Sequence, residues 1–136
     1  MNNIENIIKE KGVYIGKIKG DSMMPLLRES KDRVMITRPE FPLKKYDVPV
    51  YRRDGHLTMH RIIHIRKNKY IICGDNRVNL EYDVTDDKVI GILSGFWREE
   101  KYIDCKNIKY KLYSRYITWT FPIRKFIRHF KKVLCQ

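Results

Sequence analysis

Cysteine is scarce in this 136-residue chain, no CxxC pair occurs, and no apolar run is long enough to cross a bilayer. Cys73, Cys105 and Cys135 are odd in number and widely spaced, so they cannot all pair within the chain, and a reducing compartment is expected. The histidines at 56, 60, 64 and 129 form no Cys/His set at metal-ligand spacing, so neither a metal nor another cofactor is expected. A spanning helix needs about 20 predominantly apolar residues, and no stretch supplies them. Met1 to Lys11 lacks a basic leader followed by an apolar stretch, so neither a secretion signal nor an anchor is expected there. Internal repeats and low-complexity tracts are also missing.

Acidic residues are missing from one end of the chain. From Lys106 to Gln136 there are nine Lys or Arg and no Asp or Glu, so this tail holds +9 of the net +13. The rest is close to an ordinary soluble protein in charge. With 43% hydrophobic and 12% aromatic residues, a chain of this length can bury one core, so one compact unit is expected.

Asn3 can cap a short helix within residues 1–11, with Ile4, Ile7 and Ile8 at helical spacing and an end near Gly12. The pattern then changes to short β-rich runs at Val13–Ile18, Arg33–Thr37, Val48–Arg53, Leu57–Arg66, Tyr70–Cys73 and Lys88–Trp97. Turn material separates them, including Asp54-Gly55 and Gly74-Asp75-Asn76. The expected fold is mainly β, an antiparallel β-sandwich or partly closed barrel over 1–104, followed by a basic helical tail over 105–136. In that tail Thr120 is a candidate cap and Pro122 suits a first turn. Ile123, Phe126, Ile127, Phe130 and Leu134 then share one helical face, with cations over most of the remainder.

Gly20-Asp21-Ser22-Met23-Met24-Pro25 is the most informative string. Glycine and a short polar residue turn the chain sharply at a strand end, presenting a hydroxyl and nearby backbone amides to a cleft. Met23 is apolar where a surface turn favours polarity, so it faces either a substrate groove or the core. Taken alone, a serine in such a turn is usually only a turn residue.

This string resembles the Gly-Asp-Ser-Met-x-Pro nucleophile box of the signal peptidase I family, and further pieces follow in the family's order. Asp32-Arg33-Val34-Met35-Ile36 occupies the place of the next strand, and His60-Arg61-Ile62-Ile63 resembles the general-base box of the histidine-type members. Gly74-Asp75-Asn76-Arg77 resembles the Gly-Asp-Asn box, and Val89-Ile90-Gly91 the strand that closes the core. The resemblance covers about Gly20 to Leu93. It implies a serine endopeptidase with Ser22 as nucleophile and His60 as base, acting on a leader or precursor peptide with small residues before the cut. Met23 and Pro25 would border the substrate, and the Ser22 backbone amide would stabilise the oxyanion. No helix-turn-helix candidate precedes these boxes, so the related self-cleaving SOS repressors fit poorly.

A histidine suits the role of base, since neutral imidazole accepts a serine proton near neutral pH. In a continuous strand over Leu57–Arg66, His60 and His64 would share a face. The third member is open between two acids. Asp75 matches the Gly-Asp-Asn box and ranks first, while Glu81, a few residues beyond that box, is the rival. Asp75 also has a plain structural reading as an Asx-type turn.

The tail suits an anionic membrane surface, which would give a cytoplasmic protein peripheral membrane contact in place of an anchoring helix. Alternatively, its apolar face packs on the body. Its charge also suits nucleic acid, but no recognisable reading element accompanies it. A catalytically idle relative that binds a peptide or partner is the remaining alternative.

Overall fold

The computed structural model describes residues 3–135. Helix α1 (Asn3–Lys11) is followed by β1 (Val13–Lys17), β2 (Arg33–Thr37), β3 (Pro49–Arg53), β4 (His56–Met59), β5 (Arg61–Arg66), β6 (Lys69–Cys73), β7 (Glu81–Val84), β8 (Val89–Arg98) and β9 (Lys101–Asp104). Helices α2 (Ile108–Trp119) and α3 (Phe121–Leu134) complete the order. Asn3 is already helical, and α1 closes where the Gly12 N–H donates to Ile8 O at 2.8 Å.

Every strand pair is antiparallel. The larger sheet runs β1-β2-β8-β3-β4, with β9 also on β8, and the smaller runs β5-β6-β7. The larger sheet is open, because β1 pairs only with β2 and β4 only with β3. The mainly β class expected from the runs is the class observed. There are two cores: Leu27, Val34, Phe96 and Ile8 belong to the first, and in the second Tyr51 of the larger sheet packs with Ile62 and Ile72 of the smaller.

The run at Leu57–Arg66 is not one strand. It breaks at His60, where the chain leaves β3, with Val50 opposite Met59, and joins β6, with Arg61 opposite Cys73. A further irregularity falls between Ile62 and His64. The expected shared face of His60 and His64 is therefore lost, and His64 stands exposed on β5. Strands β7 and β9 escaped the pattern reading because Glu-Tyr-Asp-Val and Lys-Tyr-Ile-Asp each contain two charged residues and little that is buried.

The tail is two helices, and the first is docked. Asn107 caps α2, its side chain accepting from Lys109 N–H at 2.8 Å. Tyr110, Ser114 and Ile117 are buried on one side of α2. Fully buried Arg61 explains this docking: its Nη1 donates to Ser114 Oγ at 2.7 Å and to Tyr46 O at 3.0 Å. Residue 105 is thus not a packing boundary, since a buried cation needs every available acceptor. Pro122 sits in the first turn of α3, as its missing N–H requires. Thr120 is the junction residue, but its hydroxyl donates back to Ile117 O at 3.3 Å instead of capping α3.

Candidate active site

Ser22 lies in the loop between β1 and β2. Gly20 holds φ +84°, a left-handed conformation that glycine adopts without penalty, and turns the chain after β1. The Met24 N–H donates to Asp21 O at 3.1 Å, so the turn closes without using the Ser22 amide. Leu26 and Leu27 then anchor the loop in the core.

The Gly-Asp-Asn loop is fastened onto this turn. Asn76 N–H donates to Ser22 O at 2.8 Å, Asn76 Nδ2 to Asp21 O at 3.1 Å, and Arg77 Nη2 to Asp21 Oδ1 at 2.6 Å. The Arg77 hydrogen bond also lowers the Asp21 pKa. Gly74 explains the close approach: a Cβ placed there would sit 2.6 Å from Ser22 O and 3.1 Å from His60 Cδ2. Both atoms press on one point, so they are separated by no more than the sum of those distances. Any side chain at 74 would drive Ser22 and His60 apart.

His60 is held from its other edge. Its Nδ1 lies 2.7 Å from Glu81 Oε1, and Tyr51 Oη donates to Glu81 Oε2 at 2.5 Å. Arg53 forms an ion pair with the same Oε2. Tyr51 and Arg53 alternate on one face of β3, a period-two signal that reading for catalytic boxes passed over. Burial alone would raise the Glu81 carboxyl, but hydrogen bonds from His60, Tyr51 and Arg53 outweigh it and hold the pKa down to about 2. Burial and the Glu81 carboxylate together push the Tyr51 phenol up.

This geometry determines the imidazole tautomer. A carboxylate accepts but does not donate, so Nδ1 carries a hydrogen toward Glu81, and in the neutral ring the acceptor is Nε2, the atom bonded to Cδ2. No Ser22–His60 hydrogen bond forms among the described residues, and catalytic bonds in unliganded sites commonly tighten only around substrate.

Asp75 stands elsewhere. Its Oδ1 and Oδ2 accept from Arg61 Nε and Nη2 at 2.8 and 2.9 Å, and Tyr113 Oη donates to Oδ2 at 2.8 Å. These partners belong to the α2 docking network. Of the two acids it is Glu81, the lower-ranked, and not Asp75, that contacts His60.

Met23 is buried in the first core and also lines the cleft that Ser22 lines. Pro25 is exposed and does not border that cleft. The cleft is open, about 490 Å³, and runs between the unpaired edges of β1 and β4. Tyr14, Ile18, Leu57 and Met59 make it largely apolar, and Ser22 sits on its wall. Compared with known proteins, the chain matches no protein-family model and no curated protein sequence.

Proposed function

We propose that this chain is a serine endopeptidase of the signal-peptidase type, using Ser22, His60 and Glu81. The observation that carries this reading is the double constraint on His60, fixed at Nδ1 by Glu81 and lodged beside Ser22 across Gly74. His60 Nε2 takes the Ser22 proton as Oγ attacks the scissile carbonyl, and the Ser22 amide faces the oxyanion. The imidazolium gives its proton to the leaving amine, leaving an acyl-enzyme. Water, deprotonated by His60, then releases the acid and restores Ser22. Glu81 steadies each imidazolium without leaving its ionised state.

The substrate is an extended segment of a leader or precursor peptide that adds to the free edges of β1 and β4. Apolar walls favour small or apolar side chains beside the cut. The reading places the enzyme in a reducing, cytoplasmic setting, supported by the free thiols of Cys73, Cys105 and Cys135. It also has the basic tail attach the enzyme to a membrane surface; among the described residues no helix is long and apolar enough to cross one.

A fluorophosphonate probe with intact-mass readout tests the activity. One adduct on the wild type and none on Ser22→Ala is expected. A wild type that stays unlabelled while binding extended peptides is an idle peptide-binding relative instead.

A further inference from the structure

Helix α2 has two apolar sides. Tyr110, Ser114 and Ile117 face the body, whereas Ile108, Leu112, Tyr116 and Trp119 are each 60% exposed or more. Those four recur every three or four residues, so they form one stripe. The stripe does not stop at Trp119. Thr120 keeps helical dihedrals (φ −83°, ψ −4°), its N–H donates to Tyr116 O at 3.0 Å, and Arg124 N–H donates to Thr120 O at 2.9 Å. Beyond this right-handed junction α3 exposes Ile123, Phe126, Ile127, Phe130 and Leu134 on one face, so the tail continues to present apolar surface.

A stripe of this length is an unusual apolar surface to leave in water. The body cannot cover the α2 part, because α2 is already gripped by Arg61 through its opposite side. The tail around the stripe has nine cations and no acid. Lys125, Arg128, Lys131 and Lys132 occupy the other face of α3, from which their long side chains can reach a headgroup layer. Trp119 and Tyr116 suit that same interfacial depth.

We propose that the stripe from Ile108 to Leu134 lies in the interface of an anionic membrane, with the peptidase body held on its water side. This rests on the reading that the tail meets a membrane, and adds which face enters and how the body is oriented. Arg124 connects the two: its Nη1 donates to Asp75 O at 3.0 Å and Arg77 O at 3.2 Å, in the loop fastened to Ser22. The cleft is thereby presented at a fixed height above the lipid.

Flotation with phosphatidylcholine vesicles containing about a quarter phosphatidylglycerol tests this, beside pure phosphatidylcholine. The full chain should float with the anionic vesicles, and Trp119 fluorescence should shift to the blue, a shift that Trp119→Phe abolishes. Leu112→Glu/Trp119→Glu and Phe126→Glu/Phe130→Glu should each weaken binding about tenfold or more, with thermal melts confirming the fold. Binding that resists both pairs yet collapses in Lys131→Gln/Lys132→Gln overturns the stripe and leaves a purely electrostatic tail. Absence of flotation overturns the membrane reading as well. If self-association in sedimentation is lost in the same Glu variants and no vesicles bind, the stripe is a copy-to-copy interface and the proposal fails. None of these readouts needs peptide cleavage, so the peptidase reading stands or falls separately.

Discussion

Glu81 Oε1 lies 2.7 Å from His60 Nδ1, and this contact joins strand β7 of the smaller sheet to the break at which the chain leaves the larger one. The candidate site therefore depends on how the two sheets meet.

Ser22→Ala and His60→Ala should each reduce kcat for peptide cleavage by on the order of 10³-fold or more, and the double variant should be no worse than the poorer single one. Steady-state kinetics with far-ultraviolet circular dichroism checks this. Additive losses would mean that the two residues do not act as one unit.

Glu81→Gln and Asp75→Asn should fail differently. Glu81→Gln keeps the shape but removes the charge that selects the His60 tautomer, so kcat should fall by roughly 10²–10⁴-fold with little change in KM. Asp75→Asn leaves buried Arg61 without its counter-ion and should destabilise the fold by about 3–5 kcal/mol. Urea denaturation paired with kinetics separates the two roles; a stable but inactive Asp75→Asn would return Asp75 to the catalytic set.

Acid should weaken the fold partly through Glu81. Its carboxyl is held down to about 2 in the folded chain and returns to the ordinary range, about 4.3, on unfolding. The unfolded state thus binds the extra proton, so this contribution is complete above the ordinary range and is lost as pH falls toward 2. Over that interval Glu81→Gln should flatten stability against pH by up to about 1.4 kcal/mol per pH unit. Chemical denaturation at a series of pH values reads the difference, and an unchanged slope would remove the Glu81 hydrogen bonds from the account.

Truncation should have a sharp threshold. Ending the chain after Asp104 removes Tyr110, Tyr113 and Ser114 from Arg61 and Asp75, so the thermal midpoint should collapse. Ending it after Arg124 keeps those residues, buried Phe121 and the Arg124 contacts, so folding and cleavage of a soluble peptide should persist. Melting curves of both proteins test the threshold.

Thiol chemistry should resolve one site. Burial pushes Cys73 up to about 11 and Cys105 up to about 12, whereas Cys135 is exposed. Iodoacetamide at neutral pH should modify Cys135 alone in the native state, as peptide mapping would show.

Local chemistry made much of this legible. The turn at Gly20 to Met24, the strand cores, the first turn at Pro122 and the apolar face of α3 each depend on residues close in sequence, so period and composition suffice to find them. The nucleophile and base candidates were legible for the same reason, as short strings in a fixed order.

What the sequence could not decide is which distant groups meet. Asp75 and Glu81 are both acids after the same glycine, and nothing local separates them. Arg61 claims Asp75 because a buried guanidinium needs a carboxylate, and that burial exists only once α2 covers it. Glu81 reaches His60 because β7 pairs with β6, placing Glu81 opposite Ile72, while the break at His60 carries the chain between the sheets. Strand pairing between distant segments decides both outcomes, and it is a property of the assembled core. The same core exposes the α2 stripe, by using the opposite side of that helix to hold Arg61.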